Sequence, residues 1–230
     1  MSNGKITPQS ILHFNRPDND DEGSEAREIT LDNILDKVSS DNVSDALKNL
    51  YSSYGLLKGV KPLNSKHKIA GFVRTAETNS NDWGTGIKAI YACKRNEVLL
   101  IKCSDNDYAI WGGIATCAAK EHGLQATVIV GSSRDTEDIL ELDFPVFSQK
   151  VQSRAGLPLN NGSLEGTLLV GDLVIRTGDF IVGDVDGVVV IPQDKLDEVI
   201  AELNRLKKFE TDIIDRLVDN KERMDDVIGF

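Results

Sequence analysis

Residues 98–148, VLLIKCSDNDYAIWGGIATCAAKEHGLQATVIVGSSRDTEDILELDFPVFS, carry the pattern on which the fold turns. Val98–Cys103 is a near-continuous apolar run of strand length, which predicts a strand buried on both faces. A polar loop containing Asp105 and Asp107 follows. Residues 112–122 then read as a helix stopped by Gly123, because glycine enters the left-handed cap conformation without strain. Residues 126–130 repeat the buried-strand pattern, and Gly131-Ser132-Ser133-Arg134 reads as a turn. A short helix begins near Asp135, and residues 145–148 read as a third strand. A β-α-β-α-β succession predicts a parallel layer, since parallel neighbours need a crossover and helices supply it.

Upstream, Leu31, Ile34, Leu35 and Val38 recur at helical spacing, and Ser44-Asp45-Ala46-Leu47 offers a cap for a further short helix. Two helices are therefore expected before a strand at 69–76, and another helix around 85–93. Residues 1–27 contain Pro8, Pro17 and an acidic run at 18–25, with only scattered apolar residues; they are expected to be an extension outside a domain spanning 28–230. Beyond Gly156 the chain becomes β-rich, with strands expected at 166–170, 172–176, 180–182 and 188–191. Asp184 and Asp186 fall in a Gly-Asp-Val-Asp-Gly segment that reads as a hairpin turn in preference to a Ca²⁺ loop. After Pro192, Leu196, Val199, Ile200, Leu203 and Leu206 mark a long amphipathic helix. The expected class is α/β, with a central β-α-β-α-β layer, a β-rich second half and a long C-terminal helix.

A chain of 230 residues with 40% hydrophobic and 27% charged residues fits one large globular domain or two small ones and excludes disorder throughout. Lys and Arg number 26 against 37 Asp and Glu, a net charge of −11 with no basic run, so no nucleic-acid partner is expected. No apolar stretch approaches the roughly 18 residues that span a bilayer, and MSNGKITPQS has no signal-peptide core. No membrane partner is expected, and the location read from this is cytoplasmic. Cys93, Cys103 and Cys117 show no CxxC spacing and read as buried free thiols in a reducing compartment.

Ligands of an open parallel α/β layer collect beyond the carboxyl ends of the strands, where helix N-termini direct free N–H groups. Two segments meet that condition. Gly112 and Gly113 allow close approach to the backbone, so their amides and those of Ile114 and Ala115 can hold a carboxylate or an enolate oxygen. Arg134 adds a two-pronged donor for a carboxylate, and Asp135 a hard oxygen ligand that suits Mg²⁺ or Mn²⁺. Each also has a plain structural reading: a loop ending at Gly112-Gly113, a surface ion pair at Arg134, an N-cap at Asp135. His13, His67 and His122 are expected to face solvent, and no catalytic-triad or zinc spacing involves them.

The stretch WGGIATCAAKEHGLQATVIVGSSRDTEDILELDFPVF, 111–147, resembles the central signature of the RraA-like family, which includes the 4-hydroxy-4-methyl-2-oxoglutarate aldolases. NVSDAL at 42–47 and TGDFIVGDVDGVVVIP at 177–192 resemble the family in the same order. The resemblance implies a swivelling β/β/α domain assembled as a homotrimer or a dimer of trimers, with active sites at subunit boundaries. It assigns Gly112, Gly113, Ile114 and Ala115 to substrate binding, Arg134 to the substrate and Asp135 to a divalent metal. Two departures stand out: Gly113 where many members carry an acidic residue, and Thr177 where most carry proline.

Two classes of function follow from this. The first is a metal-dependent lyase acting on a small 2-oxo dicarboxylic acid, because a cation on the 2-oxo acid unit stabilises the enolate left by carbon–carbon cleavage. Retro-aldol cleavage of 4-hydroxy-4-methyl-2-oxoglutarate and decarboxylation of oxaloacetate share a pyruvate enolate; no side chain stands out as the general base. The second is a non-catalytic regulator that binds ribonuclease E, the role of the family's name-giving branch. An Arg-Asp pair beside a glycine turn favours the enzyme, since a regulator does not need it. A methyltransferase reading lacks the glycine-rich first strand-turn that its cofactor requires.

Overall fold

A computed structural model describes residues 28–229; the expected extension at 1–27 lies outside the described residues. In chain order the elements begin with α1 (Ile34–Lys37), α2 (Ser40–Tyr51), β1 (Lys61–Pro62), β2 (Ile69–Thr78) and α3 (Gly84–Ala92). The central part comprises β3 (Val98–Cys103), β4 (Ala109–Trp111), α4 (Gly113–His122), β5 (Ala126–Ser133), α5 (Thr136–Glu141) and β6 (Val146–Val151). There follow β7 (Ser163–Leu164), β8 (Leu168–Val170), β9 (Leu173–Ile175), β10 (Phe180–Gly183), β11 (Val188–Ile191), α6 (Leu196–Val218) and α7 (Met224–Ile228).

The main sheet runs β1-β6-β5-β3-β2-β10-β11, with β4 beside β5 and β7 beside β2. Strands β3, β5 and β6 pair in parallel, as the β-α-β-α-β reading expects, and β2 joins them in parallel beside β3, while β10 and β11 add antiparallel partners at the β2 edge. The period of two along β3 explains its unbroken apolarity. Leu99 and Ile101 enter the core beneath α3, α4 and α5, whereas Val98 and Leu100 enter the core on the opposite face of the sheet. A third core joins α1, α2 and α6 to β10 and β11, through residues such as Ile34, Val43, Phe180 and Leu203. The long C-terminal helix expected from its spacing is α6, 23 residues with Leu196, Val199, Leu203 and Ile213 buried. No helix among the described residues is long and apolar enough to cross a membrane.

Several details differ from the sequence reading, each for a tertiary reason. Ser39 caps α2, accepting the Asn42 amide, so Ser44 lies inside the helix. Strand β5 runs through Ser132 and Ser133, which were expected to turn, because the unforeseen strand β4 pairs with them. The Gly-Asp-Val-Asp-Gly segment is the β10–β11 hairpin, and the buried Asp184 carboxylate accepts the Ser40 amide and hydroxyl at 2.7 and 2.6 Å. Two histidines are not solvent-facing: His67 is 12% exposed and 3.0 Å from Asp143, and His122 Nε2 lies 3.1 Å from the Cys93 carbonyl. Cys93 and Cys103 are buried as expected, but Cys117 is exposed on the outer face of α4. Thr177 hydrogen-bonds the Thr75 amide and hydroxyl at 3.1 and 2.9 Å, tying it locally to β2.

Candidate active site

The two segments singled out in the sequence meet beyond the ends of β4 and β5. Trp111 pairs with Ser133, and the Arg134 amide donates to the Trp111 carbonyl at 2.9 Å, so the residues after the two strands leave the sheet side by side. Trp111 is buried, and its indole N–H donates to Thr116 Oγ1, which donates to the Gly112 carbonyl, both at 2.9 Å. These bonds hold the first turn of α4 in place. The Ile114 and Ala115 amides belong to that turn and have no carbonyl four residues back within the helix.

Asp135 stands at the start of α5 in the left-handed conformation, φ 56° and ψ 45°, which an aspartate tolerates better than most residues. Its carboxylate does not cap α5, contrary to the plain structural reading. Oδ2 turns instead to α4 and accepts the Gly113 amide at 3.2 Å. A Cβ on Gly112 would lie 2.3 Å from that same Oδ2, so only glycine admits the carboxylate there. A Cβ on Gly113 would lie 2.8 Å from Asp138 Cβ and 3.0 Å from its Oδ2; an acidic side chain at 113 therefore needs Asp138 to move. The Gly113 amide is thus taken by Asp135, leaving the amides of Gly112, Ile114 and Ala115 as the remaining donors of the expected tetrapeptide.

Arg134 Nε lies 3.5 Å from Asp135 Oδ2, with the two side chains 43% and 34% exposed. Both reach a cleft of about 170 Å³ lined by the turn from Ala109 to Ala115 and, from outside it, by Trp83, Ile87 and Ala155. Reasoning from motifs missed Trp83, Ile87 and Ala155, which arrive from α3 and from the segment after β6. That segment is strapped to the α3 end by Asp82. Its carboxylate is fully buried and accepts the amides of Gly84, Asn160 and Asn161 at 2.8, 2.8 and 2.9 Å, with the Thr85 hydroxyl at 2.7 Å. Burial alone would push the Asp82 carboxyl up; these donors and Thr78 outweigh it and hold it well below the usual carboxylate range.

The residues present fit a hard divalent cation. Asp135 is a single carboxylate donor, oriented by one amide and lining the cleft, and no group of three acidic, histidine or cysteine ligands forms among the described residues, so a cation there would take its other positions from water and substrate. Such a donor set suits Mg²⁺ or Mn²⁺, which keep most of their positions for water and substrate oxygens.

The family described as RraA-like, Aldolase/RraA, matches residues 40–190, a span that includes every element of this site. The chain belongs to the RraA-like family. An uncharacterized protein of Methanocaldococcus jannaschii is 36% identical over 196 residues, covering 84% of this chain and 91% of its own. A Halalkalibacterium halodurans protein named "Putative 4-hydroxy-4-methyl-2-oxoglutarate aldolase" is 33% identical over 171 residues, covering 74% of this chain and 79% of its own. Among solved structures, the RNA-processing inhibitor RraA from Thermus thermophilis superposes with a TM-score of 0.58 at 23% identity. It covers 65% of this chain and 92% of its own, a likeness of fold. In this chain Arg134, Asp135 and the Gly112 turn lie together, while Gly113 leaves Asp138 the space beside it.

Proposed function

We propose that this RraA-like chain is a divalent-metal-dependent lyase that cleaves a carbon–carbon bond of a small 2-oxo acid through a pyruvate enolate. The observation that carries this reading is the placement of Arg134 and Asp135 together at the mouth of one cleft, against the open first turn of α4. Arg134 would pair with the substrate carboxylate through its planar fork. The Ile114 and Ala115 amides would donate to the enolate oxygen as charge develops there. Asp135, held by the Gly113 amide, would carry Mg²⁺ or Mn²⁺, whose Lewis acidity polarises the 2-oxo carbonyl. The resemblance implies a dicarboxylic substrate, with retro-aldol cleavage of 4-hydroxy-4-methyl-2-oxoglutarate and oxaloacetate decarboxylation converging on the same intermediate. It also implies a homotrimer or a dimer of trimers, which light scattering would report as at least three chain masses.

The testing experiment is a pyruvate-release assay on a panel of 2-oxo acids, with and without Mg²⁺. Metal-dependent release from at least one of them is the expected result. No release from any, together with capture of ribonuclease E by the purified chain, would favour the binding regulator instead.

A further inference from the structure

Three side chains of one short segment lie over the glycine pair at the start of α4. The place of a Cβ on Gly112 is taken by Asp135 Oδ2, with Arg134 Cγ at 3.3 Å. The place of a Cβ on Gly113 has Asp138 Cβ at 2.8 Å, Oδ2 at 3.0 Å and Cγ at 3.4 Å. Asp135 Oδ2 also accepts the Gly113 amide at 3.2 Å, so both carboxylates close on the same residue. The fixed geometry of that residue keeps Asp135 Oδ2 and Asp138 Oδ2 no more than about 9 Å apart. Asp138 follows Asp135 by three positions at the start of α5 and is exposed, so its carboxylate is open to a hydrated ion. The three side chains bring one positive and two negative charges to the glycine pair, an excess that attracts a cation.

Resting on the lyase reading above, we infer that Asp138 is a positioning residue of the divalent-cation site: it accepts a hydrogen bond from a water of the ion that Asp135 ligates, and the missing side chain of Gly113 lets it stand there. A hydrated Mg²⁺ keeps several waters at about 2.1 Å, and a carboxylate accepts from such a water at about 2.7 Å. An ion ligated by Asp135 therefore has its outer acceptors about 5 Å away. The span of about 7 Å between the two carboxylates that this requires falls within the limit set by Gly113. Outer partners of this kind fix the orientation of the ion's own ligands and raise its affinity. A side chain at 113 would meet Asp138 at its Cβ, an atom that the backbone of α5 carries. Relief would then need α5 itself to shift, since no rotation of the Asp138 side chain moves that atom.

The test reads metal binding directly, on the full chain with Mn²⁺ alone as the probe, from the loss of the free ion's paramagnetic resonance signal. Asp138→Asn keeps the size but removes the charge, and it should weaken Mn²⁺ binding about tenfold, the lower end for losing such a partner. Glu137→Gln makes the same change of charge one position earlier on α5 and should leave the dissociation constant within about twofold of wild type. Gly113→Ala should weaken binding as Asp138→Asn does, and in that background Asp138→Asn should cost less than a further factor of about two, because the two changes remove one arrangement. Wild-type affinity in Asp138→Asn, with only a lowered melting temperature, would mean that Asp138 serves α5 alone; this would overturn the inference and leave the lyase reading intact. An equal loss from Glu137→Gln would overturn it too, in favour of unspecific charge attraction. No uptake of Mn²⁺ by the wild-type chain would remove the metal from the lyase reading, and this inference with it.

Discussion

The Asp135 carboxylate occupies the place where a side chain on Gly112 would begin: a Cβ there would stand 2.3 Å from Oδ2 and 3.2 Å from Cγ. The atom in the way is the end of a movable side chain, so Gly112→Ala should fold, with a loss of no more than about 1 kcal/mol. The carboxylate must swing out of the cleft, however, and misplacement by about 1 Å at a reacting centre costs on the order of 100-fold. The expected result is a near-normal melting temperature with metal-dependent pyruvate release down by at least tenfold. Unchanged activity would mean that the observed position of Asp135 is irrelevant to chemistry.

Arg134 and Asp135 should fail in different ways. Asp135→Asn keeps the shape and tolerates the left-handed backbone, yet removes the charge that attracts Mg²⁺. Activity should collapse at limiting Mg²⁺, with part of it restored by excess metal, and the melting temperature should barely move. Arg134→Lys keeps a charge but loses the planar two-point grip, so KM should rise and kcat fall while the metal dependence stays. Full activity of Asp135→Asn in limiting Mg²⁺ would refute its assignment to the metal.

The three cysteines should separate by accessibility. Burial pushes the Cys93 and Cys103 thiols up to about 12, with nearby carboxylates adding to the effect, so neither forms appreciable thiolate near neutrality. Cys117 is exposed on α4. A colorimetric thiol reagent at pH 8 should therefore titrate one thiol in the native protein and three in denaturant. Fast reaction of all three without denaturant would show that the core around β3 opens readily.

Local pattern carried the parts of the fold whose cause is local. The unbroken apolar runs of β3 and β5 announce strands covered on both faces, and Gly123, at φ 88°, ends α4 as its position in the sequence suggests. The Arg134-Asp135 pair was legible because its chemistry is explicit in the residue types. The cleft wall was not, because Trp83 and Ala155 are brought together across about 70 residues by bonds such as Trp83 Nε1 to Gly156. Strand β4 escaped notice for a related reason: three residues show no periodicity, and only the pairing with Ser132 and Ser133 makes them a strand.

Asp82 is the residue on which that wall most depends. It accepts four backbone amides and two hydroxyls from three segments and has no cationic partner among the described residues, so its contribution is that of an acceptor for otherwise orphaned donors. Asp82→Asn replaces one acceptor oxygen with a donor group that faces other donors, and each unsatisfied buried group costs about 1–3 kcal/mol. A loss of at least about 3 kcal/mol is expected from denaturant unfolding at pH 7, with a weakened cleft as its functional consequence. The pH dependence supplies an independent signature. A carboxyl held below its ordinary 3.8 in the folded state contributes stability that is complete above that value and lost as pH falls toward the folded one. The gap between wild type and Asp82→Asn should accordingly be largest above about pH 5 and narrow below about pH 4. Equal stability of the two proteins at pH 7, or a gap that does not change with acidification, would show that Asp82 does not hold the strap.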